Sequence, residues 1–398
     1  MHSIERINSW LIVALFFFVS ISTAAGSIIS ALVFIFWIIH RDFKNQFFQI
    51  RSNKVAIASL LFFSVHLLGI LWSSDLDSGI ETILKNWKFL MIPIFMLYIR
   101  KEQIRLYINA FLAAIFLSEF LSYLIWFDII APILKANKSN PAVFMSHIVY
   151  NPLLAIAIYI VASRLIFEKK SSIYSRFINT LFLLSMVINM FLTGGRTGYI
   201  LFFTVIFILS YQYFKDSILK FLIVSIVVAT TIFTIAFHSS NIFKDRVNLT
   251  VESFKEYESN PNTSLGKRIT FNFNAVNIFL DNPIFGVGTG DLLYEMQNSM
   301  AKLSPKVIAP DNPHNNHLMI AIRLGFLGLL SFYWIFFTQI KSSKHIQNKE
   351  LARLGIVIPC LFLLASFAES YFSSHVTSLF FSIFSALIFS HNSKKLIR

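Results

Sequence analysis

The sequence predicts an all-α integral membrane protein with about twelve transmembrane helices and one long outer loop carrying short helices. Three observations lead there. The 398-residue chain is 56% hydrophobic and 14% charged, with a mean hydropathy of +0.67, whereas a soluble domain is about 45–50% apolar and about 25% charged. The apolar residues gather into runs near the ~20 residues that cross a bilayer. The basic residues collect in alternate connecting segments.

Taken in order, the apolar runs lie near 9–25, 27–40, 55–72, 87–99, 104–126, 143–165, 177–193, 198–213, 218–237, 317–339, 351–368 and 372–390. The first follows MHSIERINSW, which resembles the charged start of a signal peptide. No A-x-A-like cleavage site follows and a second run begins at once, so an uncleaved first span is expected. The single cysteine, Cys360, lies in a run and excludes an intramolecular disulfide. Seven segments hold 21 of the 34 basic residues: Arg6, then 41–54, 100–105, 164–176 (with Lys169), 215–220, 341–353, and finally Lys394, Lys395 and Arg398. With twelve spans all seven fall on one side. The positive-inside rule makes that side the cytoplasm and puts both termini there. The net charge of +14 is then a topology signal. It is scattered over short loops and does not suit nucleic acid.

This layout divides the chain into spans one to nine (1–237), an outer loop (238–316) and spans ten to twelve (317–398). The loop breaks the rhythm, with seven Lys/Arg against eight Asp/Glu, and loops of that length are functional or disordered. Within RITFNFNAVNIFLDNP, Ile269, Phe273, Val276 and Leu280 recur at helical spacing, which predicts an amphipathic helix on the membrane surface. DNPIFGVGTG ends it with a proline and a glycine-rich turn.

Several residues could carry chemistry. Arg196, in TGGRTGY, is either an interfacial arginine snorkelling to headgroups or a phosphate ligand whose flanking Gly194, Gly195 and Gly198 allow close backbone approach. Arg268, after Lys267 in SLGKRITF, opens the expected surface helix, where anions are attracted. GVGTG lacks the strand and Lys-Ser/Thr of a phosphate loop and reads as a turn. His314 and His317 in HNNH have only Asp311 nearby, too few ligands for zinc. A single imidazole base is the sharper reading, and a polar anchor the plainer one. Asp75 and Asp77 in SDLD read as solvated turn residues. Arg323 and Glu119 lie within spans, where charges are usually paired, and a mutual ion pair is the simplest expectation.

TGGRTGY, then GKRITFNFNAVNIFLDNPIFGVGTG, then PHNNHLMIAIRLGFLGLL resemble the successive signatures of the O-antigen ligase family, which also contains O-antigen polymerases. The most specific part is a His-Asn pair, nine residues, then Gly-x-x-Gly: here His314-Asn315 and Gly325 to Gly328. The strong match covers roughly 190–330, and His317 stands where the family usually has an aromatic residue. The resemblance implies a polytopic glycosyltransferase of the bacterial inner membrane, with the 238–316 loop in the periplasm. Its donor would be a glycan on undecaprenyl pyrophosphate. Its acceptor would be lipid A–core for a ligase, or another lipid-linked repeat for a polymerase. The reaction would invert the anomeric carbon and need no metal, nucleotide sugar or other cofactor. By motif, Arg196 and Arg268 would bind the pyrophosphate, His314 would position or deprotonate the acceptor hydroxyl, and Asn315, His317 and Lys267 would support the site. A transporter would instead place paired charges or broken helices near mid-membrane.

Overall fold

The structure, a computed structural model, describes residues 2–391 except 135, 139, 169 and 258. Lys169, Lys394, Lys395 and Arg398 of the expected cytoplasmic charges lie outside the described residues. Among those described there are seventeen α-helices and no strand. In chain order they are α1 (His2–Phe18), α2 (Thr23–His40), α3 (Phe43–Ser52), α4 (Lys54–Leu68), α5 (Leu76–Lys85), α6 (Trp87–Tyr98) and α7 (Ile104–Trp126). Then follow α8 (His147–Phe167), α9 (Ile173–Leu192), α10 (Arg196–Tyr213), α11 (Ile218–Ser239) and α12 (Asn241–Lys255). The last five are α13 (Ser264–Asp281), α14 (Leu292–Leu303), α15 (Asn316–Ser343), α16 (Lys349–Ala365) and α17 (His375–Phe389).

Among the described residues, seven helical stretches are long and apolar enough to cross a membrane: 23–40, 54–72, 101–126, 147–167, 173–192, 218–239 and 316–343. The five other expected runs are occupied by α1, α6, α10, α16 and α17, of 12 to 18 residues. Pro93 and Pro359 sit inside α6 and α16, where each removes a ladder hydrogen bond. The short α3 and α5 carry no long apolar run, and the hydropathy pattern did not announce them.

The chain forms two compact units. One contains 13–26 and 105–249, and the other the residues up to Ile12, Ser27–Ile104 and those from Thr250. In the first, α8 is buried along most of its length and packs on α9 and α10. A polar seam runs through it. Tyr150 donates to Asn189 at 2.9 Å, Asn189 donates to Ser122 at 2.9 Å, and Ser185 donates to Glu119. Polar groups in apolar helices satisfy one another because no solvent can. The expected Arg323–Glu119 pair would join residues of different units. Within its own unit Glu119 accepts from Ser185.

In the second unit α15 is central, with α4 along it, α16 beside it, and α13 and α14 on its first half. Phe271, Ala275 and Ile278 of α13 join Leu292, Met296 and Met300 of α14 over Met319 and Ile322. The face predicted to be apolar, with Phe273, Val276 and Leu280, remains exposed.

The DNPIFGVGTG segment is spliced into α15. At Gly325 (φ 58°, ψ −150°) the helix is interrupted. The freed Ile322 and Arg323 carbonyls accept from the Val287 and Gly288 N–H groups at 2.8 and 3.0 Å. In return, Phe326 and Leu327 N–H donate to the Pro283 and Ile284 carbonyls at 2.8 and 3.2 Å. These four bonds pair backbone groups that the break takes out of the helix ladder. A Cβ on Gly325 would lie 2.4 Å from the Ile284 oxygen, and one on Gly286 (φ 68°) 2.4 Å from the Ile322 oxygen. We expect Gly325→Ala to cost well over 1 kcal/mol and to lower the melting temperature and yield of folded protein. Unchanged melting would contradict the splice.

Candidate functional site

His314, Glu369 and Arg268 form one cluster in the unit built around α15. His314 Nδ1 donates to Glu369 Oε1 at 2.6 Å, and Arg268 Nη2 donates to Glu369 Oε2 at 3.0 Å. Arg268 Nη1 also donates to the Ala368 carbonyl. Glu369 is thus a bridge, one oxygen for each cation donor. Its side chain is 14% exposed, against 36% for His314 and 32% for Arg268. The carboxylate is the buried foundation, and the imidazole and guanidinium are its accessible ends.

The local sequence builds this arrangement residue by residue. Asn312 Oδ1 accepts from the His314 N–H at 2.9 Å and from Ser370 Oγ at 2.9 Å, tying the residues on either side of the pair together. His314 adopts φ 52°, a left-handed conformation in which histidine is enriched among non-glycine residues. Asn315 caps α15 by accepting from Leu318 N–H. Buried Asn316 accepts from Phe372 N–H at 3.0 Å and gives its own N–H to the Ser366 carbonyl at 2.8 Å. These bonds fix the 366–372 connection, and with it Glu369, against the start of α15. Phe271 of α13 lies over His314, with ring centroids 6.1 Å apart and planes at 25°.

The two histidines of HNNH differ. His317 Nε2 donates to the Leu363 carbonyl at 3.1 Å, and its Nδ1 accepts from Tyr333 Oη at 2.8 Å. Its ring stacks on Phe367 with centroids 4.0 Å apart. Both nitrogens are spent, so His317 ties helices together. His314 uses only Nδ1 among the described residues, which leaves Nε2 to meet a ligand.

Burial opposes ionisation of Glu369. Hydrogen bonds from His314 and the Ser370 N–H, with the nearby His314 and Arg268 charges, outweigh that and hold the carboxyl below its ordinary value. The group is therefore a carboxylate that orients its partners. A bound ring with one nitrogen held and the other presented has the geometry of a general base. Arg268 spends two of its five N–H donors here, and the rest remain for an oxyanion.

Other predicted residues fall elsewhere. Arg268 does not open α13: Thr263 caps that helix, and Arg268 lies a turn inside it. Lys267 is half-buried, and its side chain makes no hydrogen bond or ion pair among the described residues. Arg196 belongs to the other unit, as the first residue of α10 after the Gly195 cap. The flanking glycines serve packing more than ligand approach. A Cβ on Gly195 or Gly198 would meet Asn151 of α8 at 2.7 or 2.2 Å, and Arg246 lies against Gly194. Arg246 is thus a second guanidinium at this turn that the sequence reading had not singled out.

GVGTG cradles nothing. Its Val287, Gly288, Thr289 and Gly290 N–H groups go to Ile322, Arg323, Gly69 and Ser73. Asp75 caps α5 by accepting from Ser78 N–H at 3.0 Å. Among the described residues, no three His, Cys, Asp or Glu side chains gather as a metal site.

Comparison with known proteins agrees with the motif reading. An uncharacterised protein of Haemophilus influenzae is 24% identical, over 95% of this chain and 96% of that one. The O-antigen ligase family model matches residues 181–333, from within α9 to Tyr333 of α15. The match takes in Arg196, Arg268 and His314 and stops before Glu369. With its several helices long and apolar enough to cross a bilayer, the chain is a multi-pass membrane protein, and its residues 181–333 are similar to the O-antigen ligase family.

Proposed function

We propose that the protein is an inner-membrane glycosyltransferase with twelve spans and both termini in the cytoplasm. In this reading the 238–316 segment, with α13 and α14, faces the periplasm. The enzyme moves a glycan from undecaprenyl pyrophosphate to a sugar of lipid A–core, as an O-antigen ligase. The observation that carries this reading is the His314–Glu369–Arg268 cluster, formed by residues that the family motif singles out and a carboxylate that it does not.

His314 Nε2 takes the proton of the acceptor hydroxyl while Glu369 holds Nδ1. The acceptor oxygen attacks the anomeric carbon from the face opposite the pyrophosphate. The glycosidic C–O bond breaks, and its electron pair leaves on the pyrophosphate with inversion. Negative charge grows on that leaving group, and a guanidinium fixed beforehand stabilises it more in the transition state than in the ground state. Arg268 is positioned for that role by Glu369 and the Ala368 carbonyl. Arg196 keeps its motif assignment as a pyrophosphate ligand on sequence grounds. Metal and nucleotide sugar have no part in the scheme.

Deletion of the gene, followed by a gel of surface polysaccharide, tests the assignment. Loss of all long chains with bare core remaining is the expected result. Core bearing a single repeat would transfer the same chemistry to an O-antigen polymerase. An unchanged ladder would contradict both.

A further inference from the structure

Lys341, at the far end of α15, lines a second site. At 1.5 Å per helical residue, it lies roughly 38 Å along α15 from the helix start at Asn316. A cavity of about 1210 Å³ opens there in the same unit. Arg51, Lys54, Lys101 and Lys341 line it with His345 and His391, and among the described residues no carboxylate does. None of the four Lys/Arg side chains forms an ion pair among the described residues; Lys341 instead rests over the Phe337 ring at 5.4 Å. Two capped helix starts add to the field, because Asn53 of α4 and Asn348 of α16 both line the cavity.

Topology explains why basic residues lie on this face. It does not require them to converge on one cavity without counter-ions. Such convergence leaves a strong positive potential that a phosphate would neutralise. The apolar wall indicates the source of the phosphate. Trp334 and Phe337 line the cavity and are 48% and 50% exposed, so they present aromatic surface where acyl chains run.

We propose that this cavity binds the phosphate headgroup of an anionic phospholipid from the adjoining leaflet, with its chains along Trp334 and Phe337. Basic pockets between transmembrane helices on the cytoplasmic side recognise such headgroups. In the orientation proposed above, this is the cytoplasmic leaflet. The site is separate from the transfer chemistry, and its test does not depend on it.

Purified full-length protein is washed in detergent, offered phosphatidylglycerol or phosphatidylcholine of identical chains, and weighed intact by native mass spectrometry. Wild type is expected to retain phosphatidylglycerol on the order of tenfold better. A Lys54→Gln/Lys341→Gln variant should lose that preference with helicity and melting unchanged. Lys101→Gln, a single change in the turn that leads into α7, replaces it if the double variant fails to fold. Equal retention of both lipids by wild type, or an undiminished preference in a folded variant, overturns the proposal. Inorganic phosphate that displaces phosphatidylglycerol at equal concentration would reassign the cavity to a free anion.

Discussion

Replacement of His314 is expected to stop glycan transfer while the protein still folds and inserts. A general base contributes about 10²–10⁴ in rate, so at least that loss should be seen. His314→Ala is the direct change, and His314→Asn is the cleaner one. At φ 52° asparagine is tolerated where alanine is strained, so Asn removes the base without a backbone cost. His317→Ala should behave in the opposite way. It leaves the Leu363 carbonyl and the Tyr333 hydroxyl without their partner, so stability falls while the remaining folded enzyme turns over. The comparison is made on purified variants, with rate normalised to folded protein. An active His314→Asn beside an inactive, well-folded His317→Ala would place the chemistry on the wrong imidazole.

Glu369 carries the second large effect. Glu369→Gln is nearly isosteric and can still hydrogen-bond, but its amide no longer fixes the His314 Nδ1 proton or neutralises Arg268. The corresponding carboxylate-to-amide change in a serine protease triad costs about 10⁴ in kcat. A loss of at least about 10² is expected here. Glu369→Asp keeps the charge on a shorter arm and should recover part of the rate. A purely structural role predicts the reverse order, because Gln fits the space and Asp does not reach both partners. The kcat values of the two variants, measured with donor saturating, decide. Gln more active than Asp would remove the carboxylate charge from the mechanism.

Much of this was legible in the chain. Apolar runs mark helices because backbone groups in a bilayer must bond internally, and each expected run is met by a helix. His314 and Arg268 were legible through motif spacing, and the structure brings them to one carboxylate. Glu369 was not. It stands 55 residues from His314, outside any motif, and only the fold brings it near. The available signal was a lone acidic residue in the short connection between two apolar runs. The α13 register was also hidden. Its apolar residues occupy two faces, and only the presence of α14 and α15 decides that Phe271, Ala275 and Ile278 are the buried set. Gly325 was read as part of a motif, but its reason is the splice with residues 283–288, a long-range contact with no local periodicity.

The His314–Glu369–Arg268 cluster is expected to cleave a lipid pyrophosphate–glycan bond. The most direct measurement supplies purified wild-type and His314→Asn protein with undecaprenyl-pyrophosphate-linked glycan and lipid A–core. It follows free undecaprenyl pyrophosphate and glycosylated core together. In the wild type the two should appear one for one, and in His314→Asn neither should rise above the uncatalysed level while donor binding persists. Equal release by both proteins, or a wild type that binds donor and acceptor and releases nothing, would contradict it.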